Sequence, residues 1–265
     1  MIARPKELAG STLRGLLEFL LPPVCAGCGA HLHETDHISD HVFERACERA
    51  PDIESVLCGP CSRALQFLNR EGCLLCQLPT PSRPHRLCSR CKGEGSSLDA
   101  CTARVAFEGR AEGWIRDFKY PRSGIAGLLP GPESIVVALA RDVSQMLVHR
   151  SPDLVVPVPL HPSRLRARGF NPATTLARAI AKQVGGRLTT DLLIRLRDTP
   201  SQTQLGRRQR RSNIRDAFAC TTVSAPDIWL VDDVVTTRST LEEAARCLRR
   251  AGAKNIQAIC AARTL

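Results

Sequence analysis

Four Cys-x-x-Cys pairs lie close together near the start of the 265-residue sequence, and few folds accommodate such a set. Two intervening residues allow both thiolates of a tight turn to face one ion, with zinc–sulfur distances of about 2.3 Å. Two such turns complete a tetrahedral site, so the spacing predicts two structural zinc ions. Chance, a redox pair and an iron–sulfur cluster are the alternatives. The eight predicted metal ligands are Cys25, Cys28, Cys58, Cys61, Cys73, Cys76, Cys88 and Cys91.

The order in which the four pairs combine is open. Sequential pairing joins the first pair to the second and the third to the fourth, and we prefer it because it closes the shorter loops. A cross-braced arrangement, which joins the first pair to the third, is the alternative. The gap between Cys28 and Cys58 also contains Cys47 and four histidines. A substitute ligand from this gap is the alternative; since four thiolates already saturate zinc, we expect the histidines to be loop residues.

Positive charge is concentrated in the second part of the chain. The formal net charge is +11, of which residues 1–100 carry −1 and residues 101–265 carry +12. Most of the basic residues are arginines, whose guanidinium groups bind phosphate in a bidentate manner. The excess of positive charge indicates a polyanionic partner. An equally good interpretation is that most of these arginines are ordinary solvated surface residues. Eight thiolates with two Zn²⁺ lower the predicted net charge to about +7.

Residues 1–22 are predicted to form an amphipathic helix, with leucines at three- and four-residue steps and an end at Pro22. Such a helix either packs on the zinc-binding region, which lacks a core of its own, or binds a partner or a membrane surface. Arg14 and Glu18 interrupt the leucines and no small-residue cleavage site follows, which argues against a signal peptide. No apolar run approaches the roughly 20 residues of a membrane span, so we predict a cytoplasmic protein with reduced thiols.

Apolar strands alternate with helices from residue 101 onward. This alternation predicts an α/β fold with a mostly parallel open sheet over residues 101–265, preceded by a small zinc-ribbon module at residues 23–100. The predicted strands are Thr102–Glu108, Asp153–Pro159, Leu192–Leu196, Ala217–Cys220, Asp227–Val235 and Asn255–Arg263. The predicted helices are Glu112–Tyr120, Glu133–Arg150, Pro172–Val184 and Leu241–Ala251. Residues 197–215 are polar and basic and are predicted to form a long functional loop.

The segment Ile228–Leu241, with sequence IWLVDDVVTTRSTL, indicates a ligand site. A buried strand there delivers Asp232 and Asp233 to its carboxyl end, where ligands bind in open α/β sheets. The following loop carries hydroxyl side chains and leads into a helix N-terminus, and together they make a cradle for phosphate. The carboxylates suit vicinal hydroxyls, a metal or developing positive charge. A sugar phosphate would therefore suit both the carboxylate pair and the phosphate cradle. An ordinary cluster of helix-capping hydroxyls is the alternative.

The same segment resembles the motif with which type I phosphoribosyltransferases bind phosphoribosyl pyrophosphate (PRPP). Val156–Asn171, Thr199–Phe218 and the terminal Ala-Arg-Thr-Leu are similar to the ComF family, as is a double zinc ribbon after a Leu-rich helix. The resemblance covers nearly the whole chain and is greatest to the GntX-like bacterial members. It implies a sheet of type I phosphoribosyltransferase type and a role in competence, the uptake of single-stranded DNA in natural transformation.

The resemblance also implies roles for individual residues. Asp232 and Asp233 form the catalytic pair and contact the ribose hydroxyls of PRPP. The loop residues that hold its 5′-phosphate are Thr236, Thr237, Ser239 and Thr240, and the arginines that face its pyrophosphate are Arg164, Arg166 and Arg168. Arg210 and Asn213 belong to a mobile hood, and Lys119 matches a basic family position. Mg²⁺ bridges the pyrophosphate and the ribose, as it commonly bridges substrate phosphates.

Two positions depart from the family pattern. Arg238 replaces a Gly that permits positive φ and close approach of the backbone to phosphate. Arg serves there if φ is negative, and its guanidinium then pairs with a phosphate. The alternative is that Arg238 narrows the site and abolishes PRPP binding. Pro172 replaces a residue that is usually polar.

Two functions are compatible with these features. The first is a ComF-like cytoplasmic protein that assists DNA uptake, binds PRPP or a related phosphate, and binds single-stranded DNA or uptake proteins such as a helicase. The candidate DNA contacts are Arg207, Arg208, Arg210 and Arg211, and contacts of this kind are salt-dependent. The alternative is an active phosphoribosyltransferase that transfers ribose 5-phosphate from PRPP to a base or amine. The sequence identifies no base pocket.

Overall fold

The computed structural model describes residues 23–32, 53–68, 71–79, 87–121, 131–147, 151–198, 214–224 and 226–265. The predicted N-terminal helix at residues 1–22 and most of the predicted hood, residues 199–213, lie outside this set. Among the described residues, no helix combines the length and apolarity that crossing a membrane requires.

Five strands form one parallel sheet. The strands of the described chain are β1 (Ala100–Ala106), β2 (Leu154–Pro157), β3 (Arg187–Leu188), β4 (Leu193–Arg195), β5 (Phe218–Cys220), β6 (Asp227–Val235) and β7 (Asn255–Arg263). The sheet has the order β1-β7-β6-β2-β3, and every pairing in it is parallel. Strands β4 and β5 form a separate antiparallel pair. The α/β fold with a mostly parallel open sheet is therefore confirmed.

Eight helices accompany these strands in the described part of the chain. They are α1 (Ile53–Val56), α2 (Gly59–Arg63), α3 (Ser89–Glu94), α4 (Gly109–Lys119), α5 (Pro132–Met146), α6 (Pro162–Arg168), α7 (Pro172–Val184) and α8 (Ser239–Arg250). Helix α7 has the predicted bounds because Asn171 caps its start by accepting a hydrogen bond from the Ala173 amide. Pro172 then occupies the first turn, where its missing N–H costs nothing. Neither α6 nor β3 was predicted, because both are short and carry no apolar periodicity.

The sheet separates two apolar cores, and each core includes cysteines from the N-terminal region. Successive residues of a strand point to opposite faces. Along β6, Trp229 and Val231 therefore join the core that contains Cys58 and the buried residues of α4, α5 and α7. Ile228 and Leu230 join the other core, which contains Cys73, Cys91 and the buried residues of α8. Cysteines of the N-terminal region thus lie against both faces of one sheet.

The N-terminal region is also attached along an edge of the sheet. Residues 66–68 run beside β1, where the Leu68 amide donates to the Arg104 carbonyl at 2.9 Å and the Ala106 amide donates to the Gln66 carbonyl at 2.9 Å. At the end of β7, the Arg263 guanidinium donates to the carbonyl of Leu75 at 3.1 Å. The two bonds from residues 66–68 cover the outer edge of β1, which would otherwise expose unpaired backbone groups.

Candidate metal centres and phosphate site

The eight predicted ligands form two clusters of four cysteines. The first cysteine cluster is Cys25, Cys28, Cys58 and Cys61, and the second cysteine cluster is Cys73, Cys76, Cys88 and Cys91. Within each cluster all sulfur atoms lie within 4.8 Å of one another. Sequential pairing is therefore confirmed.

The sulfur separations fit a single tetrahedral ion. The Cys28 and Cys58 sulfurs are 3.8 Å apart, and the Cys76 and Cys88 sulfurs are 3.7 Å apart. A tetrahedron with metal–sulfur bonds of about 2.3 Å has edges of about 3.8 Å. Both clusters are therefore suited to Zn²⁺. Four protein ligands leave no open coordination position, so the zinc that these clusters would hold is structural.

The turns that carry the cysteines direct backbone amides at the sulfur atoms. The Cys58 amide donates to Cys25 Sγ at 3.3 Å, and the Cys88 amide donates to Cys73 Sγ at 3.3 Å. Burial opposes ionisation of both thiols, but amide hydrogen bonds outweigh it and lower the pKa of Cys25 to about 7 and that of Cys73 to about 6. Burial and neighbouring thiols raise the pKa of Cys61 and raise that of Cys76 to about 12. Since metals bind the thiolate form, Cys25 and Cys73 supply thiolates near neutral pH, whereas metal binding must displace protons from Cys61 and Cys76.

An arginine from the α/β region contacts each cysteine cluster. Arg110 at the start of α4 donates through Nη1 to Cys61 Sγ at 3.0 Å, and Arg238 donates through Nη1 to Cys91 Sγ at 3.4 Å. Four thiolates around Zn²⁺ carry a net charge of about −2, which attracts guanidinium groups. The sequence did not indicate Arg110, because nothing in its local pattern distinguishes it from the other arginines.

The acid pair lies at the carboxyl end of β6, as predicted. The Asp233 amide donates to the Asp232 carboxylate at 2.9 Å, and only 8% of Asp233 is exposed. Lys119 at the end of α4 places Nζ 2.9 Å from Asp233 Oδ1. The structure therefore brings together three predicted site residues from two separate segments. Within this group, the Lys119 ammonium offsets one of the two carboxylate charges.

The carboxyl group of Asp232 is strongly perturbed. Burial and the adjacent Asp233 carboxylate raise its pKa to about 7, and Lys119 only partly opposes the rise. Both forms of Asp232 are therefore populated near neutral pH. Carboxyl groups whose pKa is shifted by burial and a charged neighbour are common at functional sites.

The hydroxyl loop, Thr236–Thr240, comprises the connection between β6 and α8 and the first two residues of α8. Thr237 Oγ1 and Ser239 Oγ are 3.0 Å apart, and α8 begins at Ser239. The residue that precedes α8 contributes no side-chain cap. The first backbone N–H groups of a helix have no acceptor within it, so those of α8 can serve an anion.

Arg238 has a different position from the one predicted. Its φ is +62°, so the condition of negative φ is not met. Its side chain is 7% exposed and contacts Cys91 and the carboxylates of Glu94 and Glu242. The hydrogen bond to Cys91 and the nearby negative charges raise the pKa of Arg238 despite its burial. The guanidinium is therefore held at the second cysteine cluster, and we remove it from the set of phosphate contacts.

The predicted pyrophosphate arginines lie on α6. Strand β2, which leads to α6, pairs in parallel with β6, so both strands deliver their following segments to the same sheet edge. Arg164 Nε lies 3.2 Å from Asp198 Oδ1, and Arg166 is exposed. Arg168 donates to the Tyr120 hydroxyl at 2.8 Å and stacks 4.7 Å from its ring centre.

The predicted hood contacts lie outside the described residues. They are Arg210 and Asn213, and the predicted DNA contacts Arg207, Arg208, Arg210 and Arg211 also lie outside the described residues.

The sequence interpretation missed Arg195 on β4. It is 9% exposed, its guanidinium lies 5.6 Å from the Phe218 ring centre, and the charges of Asp232, Asp198 and Arg164 act on it. Burial and then Arg164 lower its pKa. A charged residue at an inward position of a strand was the available signal, because such residues are rarely buried without a partner.

The fold and the site define a structural class of protein. It has a parallel α/β sheet, two four-cysteine clusters and an acid pair beside a hydroxyl loop. The chain is 31% identical over 211 residues to the DNA utilization protein YhgH of Escherichia coli K12, covering 79% of this chain and 91% of that protein. YhgH of Salmonella typhimurium is 31% identical over 217 residues with the same coverage. The chain belongs to the family of the DNA utilization protein YhgH.

A further relative supports the predicted ComF family. Competence protein F of Haemophilus influenzae is 33% identical over 122 residues, which are 44% of this chain and 53% of that protein. The chain matches no family model.

Solved structures with a detectable likeness include phosphoribosyltransferases. A structure of the allosteric regulatory enzyme of purine biosynthesis has a TM-score of 0.37 at 20% identity and covers 56% of this chain and 30% of its own. The purine phosphoribosyltransferase from Pyrococcus horikoshii has a TM-score of 0.30 at 17% identity and covers 47% of this chain and 71% of its own.

Proposed function

We propose that this protein binds PRPP, or a related sugar phosphate, at the carboxyl edge of its sheet and acts in the use of DNA by the cell. The observation that carries the proposal is the position of the acid pair, with its Lys119 contact, immediately before the hydroxyl loop. Vicinal ribose hydroxyls suit the carboxylates, and the 5′-phosphate suits the loop hydroxyls and the first amides of α8. We propose that PRPP binds together with Mg²⁺, which would neutralise part of its charge.

The cellular role is inferred from the relatives. One group of them is named for DNA utilization and another for competence. We propose that this protein likewise assists the handling of incoming single-stranded DNA, in the cytoplasm and with proteins of the uptake machinery such as a helicase. The excess of positive charge after residue 100 is compatible with a polyanionic partner.

Calorimetric titration of zinc-loaded protein with Mg-PRPP tests the ligand. We expect saturable heat in the wild type and loss of binding by at least about tenfold in Asp233→Asn, because an ionised carboxylate that accepts hydroxyl hydrogen bonds is lost. Asp227→Asn is the matched control, since Asp227 lies at the opposite end of the same strand. An absence of heat in both the wild type and Arg238→Gly would refute PRPP binding.

Single-stranded DNA binding is the second candidate, favoured by the names of the relatives and by the arginines at 207–211. We expect replacement of Arg207 and Arg208 by Ala to weaken binding and to reduce the slope of log affinity against log salt by about one per lost phosphate contact. Replacing Arg178 on α7 and Arg187 on β3 removes equal charge as the control. Equal effects in the two double variants would exclude this loop as a specific contact.

An active phosphoribosyltransferase is the alternative. It requires a nucleophile opposite the departing pyrophosphate and closure that excludes water. Release of pyrophosphate from PRPP only in the presence of a particular base or amine, with the product identified by mass, would establish it. Binding of PRPP without such release would favour the binding protein.

A further inference from the structure

Arg238 has an unusual backbone conformation in the middle of the hydroxyl loop. Its φ and ψ are 62° and −2°, in the left-handed region. For a residue with a Cβ this conformation costs roughly 1 kcal/mol, whereas glycine adopts it freely. Glycine at this position would avoid the cost. We therefore expect contacts of the Arg238 side chain to offset it.

Those contacts join the hydroxyl loop to the second cysteine cluster. Arg238 Nη1 donates to Cys91 Sγ at 3.4 Å, and Nη2 lies 4.0 Å from Glu94 Oε2. Cys91 is one of the four metal-ligand candidates, and Glu94 ends the same short helix, α3. The Arg238 side chain is 7% exposed, so water competes little for these interactions.

A second residue reinforces the connection. Glu242 on the first turn of α8 lies 3.6 Å from Arg238 Nε, and its carboxylate accepts hydrogen bonds from Ser96 Oγ at 2.8 Å and from the Ser97 amide at 2.9 Å. The start of α8, the hydroxyl loop and the segment after α3 therefore belong to one polar network. The network includes a metal-ligand sulfur at one end and the proposed phosphate cradle at the other.

The metal determines whether this network is rigid. A bound ion fixes the four sulfurs in a tetrahedron and keeps the Cys91 sulfur as an acceptor in one place. Hydrogen bonds from outer residues to metal ligands commonly change metal affinity by about 10- to 100-fold. Without the ion the sulfurs are no longer held together, and the left-handed conformation of Arg238 loses the contact that offsets its cost.

We propose that Arg238 couples occupancy of the second metal centre to the conformation of the hydroxyl loop. Arg238 acts as a positioning residue: it stabilises the bound metal through Cys91 and holds the loop in the shape that receives phosphate. Because coupling free energies are reciprocal, a ligand in the loop also slows metal loss from this centre. This last consequence rests on the function proposed above. The first cysteine cluster has its own arginine, Arg110, which contacts Cys61 from the start of α4.

Zinc release from the full-length, zinc-loaded protein to a chelating dye tests the first half of the proposal. We expect Arg238→Gly to release one of two zinc ions about tenfold faster than the wild type and the other at an unchanged rate. Arg238→Lys, which retains the charge without the planar fork, should give an intermediate rate. Arg110→Gln is the matched control and should accelerate only the other ion. Equal release rates in Arg238→Gly and the wild type would overturn the proposal.

Hydrogen exchange of residues 236–241, read by mass spectrometry, tests the second half without any ligand. Loss of the zinc from the second cysteine cluster should increase exchange in this segment. It is produced by limited chelation of the wild type or by the variant Cys76→Ser. In Arg238→Gly the same removal should cause no further increase. Unchanged exchange in the wild type after loss of the second zinc would overturn the coupling. Mg-PRPP is then added to compare zinc release with and without ligand. If PRPP fails to bind, the proposed function fails while the first two measurements still decide the coupling.

Discussion

Ionisation of Asp232 makes the stability of this protein depend on pH in a specific direction. The pKa of Asp232 is about 7 in the folded protein, because of burial and of Asp233, against 3.8 for an unperturbed aspartate. The folded state therefore binds the Asp232 proton more tightly than the unfolded chain does. The contribution of the protonated carboxyl to stability is fully present below pH 3.8, declines as the pH rises and is lost above the folded pKa.

Replacing Asp232 by Asn isolates this contribution, since Asn has nearly the same shape and does not titrate. Between about pH 6 and about pH 8 the two pKa values imply a loss of about 1 kcal/mol in the wild type that is absent from the variant. The assay is urea unfolding of zinc-loaded protein, followed by the fluorescence of its two tryptophans, at both pH values and equal free zinc.

The comparison between proteins, and not the absolute stability, carries the test, because the thiols and histidines contribute equally to both. Asp227→Asn, which removes a carboxylate at the other end of β6, should follow the wild type. If Asp232→Asn and the wild type lose the same free energy of unfolding between the two pH values, the environment inferred for the acid pair is wrong.

Two further changes test the packing and the charge balance of the site. Gly27→Ala should lower the free energy of unfolding by about 1–3 kcal/mol, because a Cβ there would lie 2.6 Å from the Trp114 ring. Thermal melts measure the effect. Gly93→Ala is the control and should be near neutral, because no atom lies within 4 Å of the added Cβ. Lys119→Met should destabilise by about 1–3 kcal/mol, because it leaves the buried Asp233 carboxylate without its cation. Lys119→Arg should recover much of that loss, and equal melting temperatures for Lys119→Met and the wild type would show that the ion pair contributes nothing.

The elements that were predicted correctly have strong local signals. Strands β6 and β7 are mostly apolar runs, and α7 has a capping asparagine, an initial proline and a terminal glycine, so all three were predicted with their observed bounds. Helix α6 was missed because its PSRLRAR sequence has no apolar stripe; it is defined by Pro162 at its start and the left-handed Gly169 at its end. Short elements of this kind depend on tertiary contacts more than on periodicity.

The candidate site likewise contains residues whose positions the sequence predicts and residues whose positions it does not. The spacing of the cysteines predicted the two cysteine clusters, because ligand geometry is local within each turn. The positions of Arg110, Arg195 and Arg238 could not be predicted, because each side chain also contacts a group that is distant in sequence: the Cys61 sulfur, the Phe218 ring and the Cys91 sulfur. Arg238 shows this most clearly: its neighbours in sequence suggest a phosphate contact, and a buried sulfur 147 residues earlier determines where it points.

The position of β7 in the sheet has a consequence for synthesis on the ribosome. Strand β1 pairs only with β7 among the sheet strands, and β7 is formed by residues 255–263. While residues 107–254 are being translated, β1 lacks the strand with which it pairs in the sheet. Productive assembly of the sheet is therefore delayed until β7 emerges, and the nascent chain exposes the inner edge of β1 in the meantime. Metal delivered to the N-terminal turns during translation would order that part of the chain before its partner strand exists.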